Sequence, residues 1–191
     1  AGLQRYGSHW TGDNQTNWPT LANVIPMVLT LGLSGVAFTG PDTGGFSGSP
    51  SGELLTRWNQ LSAFTPFFRN HTAVWTADQE PWVHGEPYES LNRSAIELRY
   101  RMLPYIYTAF WQCSQTGIPM MRPLFLAFPN DAAAAAMQDE FMFGDALLVA
   151  PVLEEGATRR SVYLPAGRWH DFWSGQAHDG PATIEVDAPL D

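Results

Sequence analysis

The chain has 191 residues, 45% of them hydrophobic and 15% charged, enough apolar material to bury a core and too much for a disordered tract. A net charge of −9 with scattered basic residues argues against a nucleic-acid backbone or an anionic membrane as partner. The lone Cys113 excludes an internal disulfide framework, no His and Cys pair has zinc-ligand spacing, and no stretch reads as a membrane span or signal peptide.

In chain order, His9-Trp10-Thr11-Gly12-Asp13-Asn14 comes first, placing a carboxylate after a Trp and a turn glycine and just ahead of an apolar helical stretch. An Asp-Asn pair in that position also serves as a helix N-cap. Leu21, Val24, Ile25, Val28, Leu29 and Leu31 recur at helical spacing, predicting a helix over Asn17–Gly35 that Gly32, Ser34 and Gly35 end. Val36–Thr39 is a short apolar run between glycine and a Gly-Pro pair, expected as a buried strand. A second carboxylate, Asp42, then stands in Thr39-Gly40-Pro41-Asp42-Thr43-Gly44-Gly45-Phe46. Leu54, Leu55, Trp58, Leu61 and Phe64 define another helix, and Phe67–His71 reads as a strand ending in polar residues.

Strand, loop and helix alternate with crossover lengths, predicting an α/β fold with a parallel sheet. The polar residues Asp13, Asp42 and His71 each fall at a strand's C-terminal end, where active-site groups of a (β/α)8 barrel converge. A long helix is expected over Asn92–Thr116, with a capping box of Ser94 and Glu97 and a kink or break at Pro104. Beyond Ile118 the texture turns to short β-like segments: Met121–Phe128, Ala146–Val152, Val162–Leu164 and Trp169–Trp173. Ala132–Ala136, after Asp131, reads as one short capped helix. The expected organisation is an α/β part over 1–117 followed by an incomplete all-β module over 118–191. The chain is read as a piece of a longer protein, so its compartment stays open; a lone cysteine is compatible with cytoplasm. Sequons begin at Asn14, Asn70 and Asn92, the first two inside the expected site, where a glycan would obstruct it.

These blocks in this order resemble glycoside hydrolase family 31, the α-glucosidase and α-xylosidase family. The resemblance spans the chain: His9–Asn14, Phe38–Phe46, Phe68–His71, Tyr100–Tyr105, Phe143–Val152, and Leu164–Trp169 with Asp171-Phe172-Trp173. It implies the C-terminal portion of a (β/α)8 barrel followed by the start of a β-sandwich domain, an α-linked oligosaccharide as substrate, and no cofactor or metal. Asp13 matches the family's general acid/base, which protonates the leaving oxygen and recovers the proton from water. His71 matches the histidine that hydrogen-bonds sugar hydroxyls, and Asp42 and Phe46 match residues lining the pocket. Trp10 fits as an apolar wall and stacking face. A structural His71, a loop-ordering Asp42 and a rim-packing Trp10 are the alternative readings, and Arg69 and Asn70 read as scaffolding.

One departure stands out. The family's nucleophile lies in a Trp-X-Asp-Met-Asn-Glu type motif on an earlier strand, and no such motif occurs here. Arg5 lies too near Asp13 to match the family's sugar-binding arginine. The chain by itself is therefore expected to show no turnover, and as a partial barrel it exposes unpaired strand edges. An α-xylosidase, an α-glucan lyase and a non-catalytic sugar-binding or subunit homologue remain the alternatives to an α-glucosidase. The oligomeric state is not legible.

Overall fold

In the computed structural model, which describes residues 2–191 and only the backbone of Leu3, the first half alternates short parallel strands with helices. Strand β1 (His9–Trp10) pairs in parallel with β2 (Thr39–Gly40), and β3 (Asp42–Thr43) pairs in parallel with β4 (Arg69–Asn70). Helix α1 (Trp18–Leu33) starts where the Asn17 side chain accepts from the Thr20 N–H at 2.8 Å. Helix α2 (Gly52–Ser62) is capped by Ser51.

The strands differ from the expected ones. Val36–Phe38 lie outside the ladder, half-buried, because their parallel partners would be Tyr6–Ser8, which form the connection from the Leu3–Arg5 turn to β1 and are not strand. Asp42 stands within a strand rather than in the loop after one. Pro41, which has no N–H to donate, splits what would be one strand into β2 and β3. The Phe67–His71 run contributes only Arg69 and Asn70 to a ladder.

The expected long helix is two helices, α3 (Tyr88–Arg101) and α4 (Leu103–Thr116), broken at Met102 with Pro104 in the first turn of α4. The Ser94–Glu97 capping box does not form. The helix begins two turns earlier, so Ser94 sits inside it and donates to Ser90 O at 3.0 Å. Asn92 is fully buried, donating to Pro81 O and accepting from Asn59, which leaves no room for a glycan.

In the second half, β5 (Met121–Pro123), β6 (Phe141–Phe143) and β7 (Leu147–Val149) form an antiparallel sheet. Pro123 ends β5, and Leu124–Ala127 is a helical turn, α5, where a strand to Phe128 was expected. Helix α6 (Ala132–Ala136) is capped by Asp131 as expected, its carboxylate accepting from the Ala133 and Ala134 N–H groups. The last two expected β segments are one strand, β8 (Arg159–His170), paired with β9 (Ala177–Asp187). A bulge between Leu164 and Gly167 absorbs Pro165 and keeps the strand continuous, while Phe172 and Trp173 fall in the turn beyond it.

One apolar cluster joins the halves. Leu21, Ile25 and Val28 of α1 and Trp58 of α2 pack with Ile106 of α4 and with Met121, Phe141 and Phe143 of the antiparallel sheet. Cys113 of α4 is also buried. Two arginines, Arg57 buried and Arg99 half-buried, tie the connections. Arg99 donates to the carbonyls of Ala63, Thr65 and Pro66 just past α2, and burial brings its guanidinium down to about 10. Arg57 of α2 donates to the carbonyls of Ala157, Ala188 and Pro189 at 3.1, 2.8 and 2.9 Å, pinning the far end of the β8–β9 hairpin to the α/β part.

Glu140 gives the fold a pH dependence. Its side chain is buried, one oxygen accepts from the Tyr163 N–H at 2.8 Å, and the other has no partner among the described residues. Burial pushes its carboxyl from 4.5 up to about 7. Between those values the folded state holds a proton that the unfolded state has released, so stability falls as pH rises through the window, levelling at a cost of about 3 kcal/mol. Thermal midpoints measured from pH 5 to pH 8 are expected to fall less steeply in Glu140→Gln than in wild type. Parallel profiles would refute the assignment.

Candidate active site

The loop after β1 is stitched to the loop after β3. The Asn14 N–H donates to Gly12 O at 2.9 Å, and Asn14 O accepts from the Phe46 and Ser47 N–H groups at 2.8 and 3.0 Å. The Thr11 hydroxyl donates to the Asn14 side chain. Gly45 permits the approach: at φ 86° its absent Cβ would stand 2.4 Å from Thr16 Oγ1 and 2.7 Å from Thr16 Cα. Asp13 rides on this stitched turn. Its carboxylate is exposed and makes no hydrogen bond or ion pair among the described residues.

Asp42 is the opposite case. It is 0% exposed, and one oxygen accepts from Arg69, reaching back from β4. The other oxygen has no donor among the described residues. Burial raises the carboxyl above the ordinary aspartate range. Arg69 pulls it back by hydrogen bond and charge, His71 pulls the same way, and the charge of Asp13 pushes it up. Arg69, His71 and Asp13 therefore all lie within electrostatic reach of Asp42. The Arg69 guanidinium also stands 5.8 Å from the centroid of the Trp10 ring, which is 49% exposed.

His71 follows β4, exposed, with its ring 5.5 Å from the half-buried Phe46 ring. The segment after it is fixed by Gln79, 2% exposed, whose amide donates to the carbonyls of Thr43, Gly45 and His71 and to the Asn70 side chain. The Asn70 amide donates back to Gln79 O at 2.6 Å. A cavity of about 310 Å³ opens between His71, Thr72, Asp78, Gln79 and Glu80.

The structure thus gathers Asp13, Trp10, Asp42, Phe46 and His71 around two stitched loops, with Asp42 behind Arg69 rather than at the surface. Arg5 lies apart from these contacts, exposed in a 3-10 turn (Leu3–Arg5). Arg69, which the sequence reads as scaffolding, and Gln79, which it does not single out, organise the site. Their ties run to residues far away along the chain, and only the position of Arg69 one residue before the polar Asn70-His71 pair hinted at either. An exposed carboxylate free to give and take a proton, an imidazole, and aromatic faces suit a polyol that also carries C–H faces. Among the described residues no His, Cys, Asp and Glu group could hold a metal ion, and no helix is long and apolar enough to cross a membrane.

Comparison with known proteins agrees over the whole chain. Residues 1–109 match the glycosyl hydrolases family 31 TIM-barrel domain, and residues 117–191 match the glycosyl hydrolase family 31 C-terminal domain. Alpha-glucosidase 2 of Bacillus thermoamyloliquefaciens is 48% identical over 191 residues, all of this chain but 24% of that protein. A crystal structure of a glucosidase II alpha subunit with Glc1Man2 bound superposes with a TM-score of 0.96 at 39% identity, covering 100% of this chain and 21% of that one. A soil-metagenome alpha-xylosidase complexed with xylose superposes at 0.93 and 36% identity, covering 100% of this chain and 32% of that one. The chain spans between a fifth and a third of the length of these relatives. Its small unclosed sheets are what part of such a barrel and the domain after it contain.

Proposed function

Because the chain belongs to glycoside hydrolase family 31, we propose that it supplies the acid/base half of a retaining α-glycosidase site, acting on terminal α-linked sugars of oligosaccharides. In this reading residues 1–117 are the C-terminal part of a (β/α)8 catalytic barrel, and 118–191 begin the β-sandwich domain after it. The observation that carries it is the contrast between the two aspartates: Asp13 exposed and unengaged, Asp42 buried and held by Arg69.

A glycosidic oxygen is a poor leaving group. An upstream carboxylate, about 5–5.5 Å from Asp13, attacks the anomeric carbon as the C–O bond breaks and Asp13 gives its proton to the departing oxygen. Asp13 then takes a proton from water, which attacks the glycosyl-enzyme from the face the aglycone left, so the anomeric configuration is retained. His71 donates to or accepts from sugar hydroxyls, Trp10 and Phe46 face the ring, and Asp42 acts beside them through Arg69. None of these steps requires a cofactor.

Two measurements test the proposal. The coding sequence upstream of Ala1 is expected to place an aspartate between a Trp and Met-Asn-Glu. The polypeptide including that segment is expected to hydrolyse maltose, and to release glucose from p-nitrophenyl α-glucoside with the α-anomer seen first by proton NMR. An initial β-anomer, or no turnover together with an amide at the nucleophile position, would defeat the reading; the latter would favour a sugar-binding homologue. Faster hydrolysis of p-nitrophenyl α-xyloside than of the α-glucoside would move the specificity to the xylosidase branch.

A further inference from the structure

Trp75 is 75% exposed among the described residues, on a segment held by several hydrogen bonds. Two residues before it, the Ala73 N–H donates to Phe46 O at 2.9 Å, and the Thr72 hydroxyl donates to the same oxygen at 3.1 Å. The Thr72 and Thr76 hydroxyls are 2.6 Å apart across it, and Thr76 bonds Ala73 O through both its N–H and its hydroxyl. Gln79 closes the segment from beneath. The turn is fixed in place and carries the indole outward beside the Phe46 ring. Its ring stands edge-on to Phe46, centroids 6.3 Å apart at 85°, and Phe46 in turn faces His71. The aromatic surface is therefore continuous from the imidazole outward, ending in Trp75.

A pyranose has an apolar C–H face that stacks on an aromatic ring and a rim of hydroxyls that need partners. Trp75 offers the first, and the exposed carboxylates of Asp78 and Glu80, three and five residues further along the same segment, are acceptors suited to the second. We propose that Trp75 is the platform for a sugar on the leaving-group side of the scissile bond, and so sets the preference for oligosaccharides over α-glucosides with small leaving groups. This rests on the glycosidase reading above.

Binding energy from a sugar beyond the reacting ring appears only with substrates that carry one. In the complete hydrolase, Trp75→Ala is expected to lower kcat/KM for maltotriose about tenfold through KM, leaving α-glucosyl fluoride within about twofold of wild type. Trp75→Tyr, which keeps an aromatic face, is expected to restore most of the loss. Equal losses on both substrates, or no loss on either, would overturn the proposal. So would a lowered thermal midpoint with unchanged kinetics, which would mean that another part of the protein covers the indole. If wild type hydrolyses neither substrate, the glycosidase reading fails first. Calorimetric titration of maltotriose then decides on Trp75: weaker binding to Trp75→Ala supports it, and equal or absent binding rejects it.

Discussion

Asp13→Ala is expected to slow maltose hydrolysis by about 10²–10⁴-fold, the range a positioned proton donor contributes. The carboxylate touches no other described residue, so its removal leaves the loop stitch between Asn14 and Phe46 intact and stability within about 0.5 kcal/mol of wild type. The size of the loss follows the leaving group. On α-glucosyl fluoride, whose departing ion needs no proton, formation of the glycosyl-enzyme proceeds and the slow step becomes attack by unactivated water. Added azide, a nucleophile with no proton to remove, is then expected to speed turnover and appear as α-glucosyl azide. A wild-type rate on maltose would end the acid/base assignment. A variant that fails to fold would show Asp13 to be structural, and Asp13→Asn, nearly the same shape, would separate that outcome from a lost proton donor.

Gly40→Ala is expected to be the most destabilising single-methyl change in the site region, by about 3 kcal/mol or more. A Cβ at Gly40 would stand 1.9 Å from Phe67 O and 2.9 Å from Phe67 C, main-chain atoms that cannot rotate away. The Phe67 N–H donates to Thr39 O at 3.1 Å, and Gly40 is the register partner of Trp10. A methyl there drives the chain before β4 away from β2, and Arg69 leaves Asp42 with it. Denaturant unfolding and the maltose rate are expected to fall together. A thermal midpoint within a degree of wild type would show that the strands tolerate the separation.

Local features of the sequence were legible where the physics is local. The α1 spacing, the Asp131 cap and the break ahead of Pro104 are decided within a few residues, and they stand in the structure as read. The grouping of Asp13, Asp42 and His71 was legible because Asp42 and His71 follow the apolar runs Val36–Thr39 and Phe67-Phe68, and Asp13 follows His9-Trp10 and a turn glycine. Strand lengths were not, since a ladder extends only as far as both partners do, and the apolar run Val36–Phe38 starts before β1 is there to pair with it. Nor was the burial of Asp42. It is decided by an arginine on another strand, and no pattern at either position announces the pair. The β8 bulge escaped notice for a related reason: Pro165 and Gly167 look like a turn until a partner strand holds them extended.

Arg57 has a consequence for how such proteins diverge. Its guanidinium holds the distal end of the β8–β9 hairpin by three main-chain oxygens and by no side chain. Every amino acid carries that oxygen, so the residues at 157, 188 and 189 can drift freely while the joint survives, provided the path of the backbone is kept. The arginine has no such latitude, because a lysine presents one point charge where a planar fork meets several acceptors. At this joint, chimeras that exchange the β8–β9 hairpin between relatives should therefore succeed or fail on loop length around these carbonyls rather than on the amino acids at 157, 188 and 189.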